Sequence, residues 1–188
     1  MPKSKKLVYV PGDVLDEIMK VSRKRGESIS KFIEDALKQA VRVESFGYSM
    51  EKAAEILEVI QAQKVLGGVF VPQEVLNCMV ENAYKAEGEG MHTKWFESGK
   101  LYGKYLKERF KDPVQALRSF LEATRWDLGE VEATVEGGVV KLRCVSTVLS
   151  VEGTELLAKF IEGAVDGLGY QIQRVDCVRG IIVVEFKA

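Results

Sequence analysis

The sequence has few of the side chains that carry out enzyme chemistry. It contains one histidine, His92, and no phosphate-binding glycine loop followed by Lys and Ser or Thr, no nucleophile elbow and no His-Glu-x-x-His pair. As a haem ligand or a catalytic base, His92 would act alone, because no Cys or carboxylate lies at metal-ligand spacing from it. We therefore expect a protein that is not an enzyme, with no catalytic residue, no metal site, no cofactor, and an exposed His92 without a function.

Long apolar runs and a paired set of cysteines are also missing. No run approaches the roughly 18 to 20 apolar residues that a membrane span requires, and no hydrophobic segment follows the opening MPKSKK. The three cysteines, Cys78, Cys144 and Cys177, are odd in number and widely spaced, which favours reduced thiols as small core residues over a disulfide scaffold. We expect a cytoplasmic protein without a membrane segment, and its 46% hydrophobic content suffices for a packed core.

Charge is unevenly distributed, although the formal net charge is only −1. Residues 1–48 hold ten basic against seven acidic side chains, so this part carries +3 and the remainder −4. A basic first part attached to an acidic second part favours an anionic partner for the first part alone.

The first 41 residues predict a strand followed by two helices. KKLVYV (5–10) has a strand pattern closed by Pro11 and Gly12, and apolar residues then repeat at helical spacing up to Arg25. Gly26 is placed as a left-handed C-cap, and Ser28 as the N-cap of a second helix that reaches about Val41. A unit this small needs a partner chain or an attached domain to form a core.

LVYVPGDVLDEI followed by GESISKFIEDAL resembles the ribbon-helix-helix (MetJ/Arc-type) family of DNA-binding domains. The resemblance implies a homodimer whose paired strands enter the major groove of double-stranded DNA, with the N-termini of the second helices on phosphates. With Val8 and Val10 toward the dimer core, alternation places Leu7 and Tyr9 outward, where Leu7 can touch a thymine methyl and Tyr9 offers a hydroxyl and a ring. The expected DNA-binding residues are Lys3, Lys5, Leu7, Tyr9, Arg25, Ser28 and Ser30.

Residues 1–46 are accordingly expected to form the DNA-binding and dimerisation domain, and residues 47–188 a helical connector with a sensor or interaction domain. After a linker at 42–48, the pattern predicts four helices, at Met50–Val65, Gln73–Ala86, Thr93–Phe110 and 113–126. It also predicts a short strand at 69–71 and a turn or mobile loop at 87–90 (EGEG). The last third predicts two β-hairpins with one helix between them, the first hairpin turning at Gly137 and Gly138. The fold class is α+β, with helices on a four-stranded antiparallel sheet.

From about Trp95 the chain resembles the 4-vinyl-reductase-type domain, a relative of haem nitric-oxide-binding domains and of subunits of vesicle-tethering complexes. The motifs are ESGKLYGKYL (97–106), GEVEATVEGGVVKLRC and TELLAKFIEGAVDGLGYQI, in that order. The resemblance implies an apolar pocket for a small ligand or an acyl chain, with Trp95, Tyr102 and Trp126 as candidate lining residues. Gly99 and Gly103 lie four residues apart, which lets another backbone approach one helical face.

Two functions follow from these patterns. One is a ligand-responsive, dimeric DNA-binding regulator of transcription, with a small apolar ligand bound in its second domain. The other is a non-enzymatic interaction or scaffold protein, in which the ribbon only dimerises and the second domain binds a protein partner.

Overall fold

The computed structural model describes residues 6–187 of the chain. These residues form six helices, in chain order α1 (Gly12–Arg25), α2 (Ile29–Ser45), α3 (Met50–Val65), α4 (Gln73–Arg109), α5 (Pro113–Thr124) and α6 (Val151–Leu168). The four strands are β1 (Glu130–Glu136), β2 (Val139–Val145), β3 (Gln171–Val178) and β4 (Ile181–Lys187). The α+β class, with its antiparallel sheet of two hairpins, is confirmed.

The chain divides into two compact units, one up to Ala54 and one from Glu55 onward. The division falls within α3, and α2 continues to Ser45, into the segment 42–48 that the sequence pattern predicts as a linker. We call the two units the head and the body.

The head contains the predicted helix–glycine–helix corner. Gly26 ends α1 in the left-handed region (φ 67°), and its N–H donates to the Arg23 carbonyl at 3.1 Å. Ser28 has extended backbone angles and caps α2 through its hydroxyl, which accepts from the Lys31 N–H. The local signals of glycine and serine therefore place both helix ends correctly.

The strand predicted at 5–10 is not formed in the described residues Lys6–Pro11. A ribbon strand of this kind would hydrogen-bond to its counterpart in a second chain, and a single chain supplies no such counterpart. The segment is exposed at three successive apolar residues, Leu7, Val8 and Tyr9.

Residues 69–71 form no strand, so that prediction of local structure is wrong. The break predicted at 87–90 is present in a shorter form: two helical segments of α4 meet at a kink at Glu87, whose backbone angles (φ −153°, ψ 56°) are not helical. The glycines at 88 and 90 weaken the helical preference beside this kink. One contact joins Tyr84, on the N-terminal side of the kink, to His92 beyond it.

The body is built on a sheet of strand order β1-β2-β4-β3. Both hairpins are antiparallel, and β2 pairs with β4 in the centre. Gly137 and Gly138 both have positive φ, which explains why this glycine pair marks the first turn. The second hairpin turns at Arg179 and Gly180, one residue later than Val178–Arg179, where the sequence pattern predicts it.

Helix α6 is the centre of the body. It packs against α4 on one side and against β3 and β4 on the other, and its residues Leu156, Leu157 and Ile161 are fully buried. Phe186 of β4 and Leu121 of α5 belong to the same apolar core. This core belongs to the body alone.

Glycines allow α4 and α6 to approach within backbone contact. A Cβ placed at Gly99 would lie 1.9 Å from the Phe160 carbonyl oxygen, and one at Gly163 would lie 1.9 Å from the Phe96 carbonyl oxygen. Gly103 faces the α6 backbone in the same way. The close approach predicted for Gly99 and Gly103 is confirmed, and the complementary glycines of α6 stand in the same spacing of four.

Among residues 6–187, no helix has both the length and the apolar composition that a bilayer crossing requires. The longest helix, α4, carries charged residues along its whole length.

Candidate nucleic-acid interface

The N-terminus of α2 is the best-defined feature of the head. The Ser28 hydroxyl accepts from the Lys31 N–H at 3.3 Å, and the Ser28 carbonyl accepts from the Phe32 N–H at 3.0 Å. The N–H groups of the first helical turn have no carbonyl four residues earlier within the helix, and the helix dipole makes this end positive. Together with the exposed hydroxyl-bearing residue Ser30, this end can bind an anion such as a phosphate.

Basic side chains surround this helix end. Helix α1 finishes with Arg23, Lys24 and Arg25, which precede the α2 N-terminus by only a few residues. The Arg25 guanidinium lies 5.3 Å from the centre of the Phe32 ring, and it is 3.8 Å from Glu27. The cation–π contact with Phe32 keeps Arg25 near the first turn of α2 while leaving the guanidinium mostly exposed.

The segment before α1 is exposed in a single chain. Leu7 is 82% exposed and Tyr9 is 89% exposed, so both side chains are available to a second chain or to a nucleic acid. Lys3 and Lys5, also predicted to bind DNA, lie outside the described residues. The structure therefore brings Arg25, Ser28 and Ser30 together at one corner.

The three residues predicted to line a ligand pocket lie in different surroundings. Tyr102 is buried between Phe120 and Phe160, at ring distances of 4.9 and 5.4 Å, and its hydroxyl donates to Gln63 at 2.9 Å. Burial raises the pKa of Tyr102. Tyr102 is thus a packed core residue, as aromatic residues at helical spacing usually are.

Trp126 is 82% exposed and does not join Tyr102. It follows the end of α5, where its indole N–H donates to the Ala123 carbonyl and its ring stacks on Phe70 at 6.1 Å. Trp95 is half-buried on α4. The body has instead an open cleft among α3, the end of α4 and α5, and none of the three predicted residues lines it.

A cluster of titratable side chains in the body was not predicted. The Tyr84 hydroxyl donates to the Glu155 carboxylate, and it also lies 3.2 Å from His92 Nε2. His92 Nε2 is 3.7 Å from the same carboxylate, and its side chain is only 29% exposed. The hydrogen bond to Glu155 raises the pKa of Tyr84 to about 12, with burial and the charges of Glu152 and Glu89 adding to it.

His92 is therefore half-buried, although it was predicted to be exposed. Tyr84 and His92 lie on opposite sides of the kink at Glu87, and the centres of their rings are 5.6 Å apart. No local sequence signal connects either residue with Glu155 on α6. Across the described residues, no group of three or more His, Cys, Asp or Glu side chains is arranged to hold a metal ion.

The cysteines are free thiols in the body, and only one of them is a core residue. Cys144 is buried, and burial raises its pKa to about 12, so it stays protonated. Cys78 and Cys177 are exposed, which corrects the prediction of three core cysteines. Cys144 and Cys177 both pair with Ile182, one from each side of β4, so β4 separates the two thiols.

Comparison with protein-family models, with curated proteins and with solved structures finds no match to this chain.

Proposed function

We propose that this protein is a homodimeric, DNA-binding regulator of transcription that performs no catalysis. The observation that carries the proposal is the missing core of the head. Within Lys6–Ala54, Ser22 is the only buried residue, while apolar side chains such as Leu37 (58% exposed) and Val41 (72% exposed) face solvent. A second copy presents the same apolar surface and would cover it through an isologous interface.

The corner at the start of α2 supports DNA as the partner of that dimer. A helix N-terminus supplies backbone donors for a phosphate, and Arg25 and Lys31 supply positive charge beside it. In a dimer this corner occurs twice, so two phosphates can be held at a fixed separation. Leu7 and Tyr9 offer little hydrogen bonding to base edges, so phosphate contacts dominate the expected affinity.

Fluorescence anisotropy of the full-length protein with a random-sequence duplex, at low and at physiological salt, tests the proposal. We expect binding that falls steeply with salt, because each neutralised phosphate contributes about 0.9 to the slope of log affinity against log salt. Lys5→Ala removes one such contact, so it should reduce the slope by roughly one unit. Ser30→Ala removes a hydroxyl from the corner without touching the Ser28 cap, so a loss of affinity there does not reflect unfolding.

Two matched variants serve as controls. Ser45→Ala changes a serine at the opposite end of the same helix, where the hydroxyl donates to the Arg42 carbonyl. Lys64→Ala removes an exposed lysine of the body. Both should bind DNA as the unaltered protein does, and absence of any binding at low salt would refute the proposal.

A scaffold function is the alternative, and exposed aromatic side chains of the body favour it. Phe70 and Trp126 stack while remaining 69% and 82% exposed, and Val69 beside them is 80% exposed. Exposed apolar patches of this kind often mark protein–protein contacts. Replacing Lys5 and Tyr9 with Ala distinguishes the two functions, since the change weakens DNA binding under the first and leaves a partner of the body unaffected under the second.

A further inference from the structure

The body contains a cleft that none of the predicted residues explains. It has a volume of about 210 Å³ and opens among α3, the C-terminal end of α4 and α5. Its deepest lining side chains are apolar: Val59, Leu106 and Phe120 are each 6% exposed or less, and Phe110 adds a second aromatic ring. The floor of the cleft is therefore a surface that water hydrates poorly.

Six polar side chains line the cleft, and three of them are acidic. Glu55 and Glu58 line it from α3, Lys111 and Asp112 line it just before α5, and the uncharged Gln115 and Ser119 line it from α5. Asp112 caps α5 by accepting from the Gln115 N–H at 3.0 Å. Glu55 has a partner of its own, so Glu58 and Asp112 against Lys111 leave the rim with a charge of −1, and Glu58 is an exposed acidic side chain.

An apolar floor with aromatic rings beneath an acidic rim is complementary to one class of ligand. An aromatic ring face attracts a cation, and carboxylates at the mouth add Coulombic attraction. A cavity of about 150 Å³ is known to hold benzene, so this cleft has room for one ring with a small substituent but not for a drug-sized molecule.

We propose that this cleft binds a small lipophilic cation, such as an aromatic ammonium compound, with its ring against Phe110 and its charge toward Glu58. The regulatory part of this inference rests on the proposed function. Helix α3 supplies Glu55, Glu58 and Val59 to the cleft, and its first turn belongs to the head. Where the cation and DNA each bind one position of α3 more tightly than another, the cation changes DNA affinity and DNA changes cation affinity by the same factor.

The test compares phenyltrimethylammonium with tert-butylbenzene, which has the same shape but carbon in place of the charged nitrogen. Each compound is titrated into the full-length protein and followed by amide chemical shifts in two-dimensional NMR. We expect saturable binding of the cation, with shift changes centred on Ala62, Ala116 and Phe120. The neutral compound should bind about five- to tenfold more weakly.

Glu58→Gln keeps the side-chain shape and removes the charge. We expect it to weaken the cation about five- to tenfold and to leave the neutral compound unchanged. Glu108→Gln, an exposed glutamate of α4 outside the cleft, is the matched control and should alter neither affinity. Equal affinity of the two compounds, an unchanged Glu58→Gln variant, or shift changes away from the cleft would each overturn the inference.

Anisotropy with DNA, with and without a saturating cation, separates this inference from the proposed function. Cation binding in a protein that never binds DNA would uphold the site and refute the regulatory function. DNA binding in a protein that does not bind the cation would refute the site and uphold the regulator. DNA affinity unchanged by a bound cation would refute the coupling through α3.

Discussion

The head and the body of this protein obtain their stability in different ways. In the body, side chains from α5, α6 and β4, such as Leu121, Leu157 and Phe186, are completely buried within one chain. In the head, Ser22 is the only buried residue between Lys6 and Ala54. The body contains its own hydrophobic core, whereas the head exposes the apolar side chains of its helices to solvent within one chain.

The largest effect should come from disturbing the glycine contact between α4 and α6. Gly99→Ala places a methyl group 1.9 Å from the Phe160 carbonyl oxygen, which is backbone and cannot rotate away. We expect the free energy of unfolding of the body to fall by about 3 kcal/mol, since overpacking a rigid contact separates the two helices. Urea unfolding followed by circular dichroism measures the loss.

Gly88→Ala is the matched control in the same helix. Its added Cβ would meet the Tyr84 ring at an ordinary 3.6 Å, so stability should stay equal or rise by roughly 0.5 kcal/mol through better helix propensity. Gly12→Ala in the head meets nothing within 4 Å and should also be tolerated. If Gly99→Ala and Gly88→Ala were equally stable, close packing would not be what holds the body together.

The second prediction concerns the apolar face of α2. Val41→Ala removes methyl groups that a second copy would bury in both chains, so the dimer dissociation constant should rise on the order of 10- to 100-fold. Sedimentation equilibrium over a range of protein concentrations measures this constant. Leu101→Ala, at a 54% exposed leucine of α4, is the control and should leave it unchanged.

A protein that stays monomeric at every concentration would contradict the proposal that the head depends on a second copy, because the head would then be ordered without a partner. An equal effect of Val41→Ala and Leu101→Ala would also count against the head as the dimer interface. The expected result locates the missing core of the head at the surface between two copies.

Local sequence signals predicted the helix ends and the hairpins because they depend on neighbouring residues. Gly26, Ser28 and the Gly137–Gly138 pair set backbone angles that need no distant contact. The break predicted at EGEG is also local in origin and is present as the kink at Glu87, since glycine has a weak helix propensity, whereas the contact of Tyr84 with His92 across the kink was not predictable from neighbouring residues.

The candidate sites also differ in whether they depend on residues close in sequence or on distant contacts. The α2 corner was predictable because Arg25, Ser28 and Ser30 are close in sequence. The Tyr84–Glu155 hydrogen bond spans 71 residues, and the cleft joins α3 to α5, so both arise only from the tertiary arrangement. Aromatic residues are usually buried, whereas Trp126 is exposed because it lies beyond the end of α5.

The third prediction uses pH to test the cluster around Tyr84. Its pKa of about 12 in the folded protein exceeds the ordinary value near 10, because the protonated hydroxyl donates to Glu155. The resulting stability is fully present below pH 10 and is lost as pH rises from about 10 to 12. Tyr84→Phe should therefore cost about 1 kcal/mol at pH 8, a value reduced by solvent screening, and less as the pH increases above 10.

Glu155→Gln supplies the control for this cluster. With the carboxylate removed, the difference between Tyr and Phe at position 84 should depend less on pH, because only burial and the charges of Glu152 and Glu89 then raise the Tyr84 pKa, and urea unfolding at several pH values measures this dependence. A Tyr84→Phe difference that grew above pH 10 would contradict the sign of the linkage.

The smallest effect is expected at the exposed aromatic pair of the body. Phe70→Ala removes a stacking partner of Trp126 that is itself 69% exposed, so the free energy of unfolding should fall by only about 0.5 kcal/mol. The body thus also presents apolar side chains to solvent, but they lie over a complete core, and their loss leaves that core intact. If Phe70→Ala instead raised the dimer dissociation constant as Val41→Ala is expected to do, the second copy would cover the body as well. The head and the body would then differ in whether a hydrophobic core lies beneath the exposed apolar surface, and not in whether a second copy covers that surface.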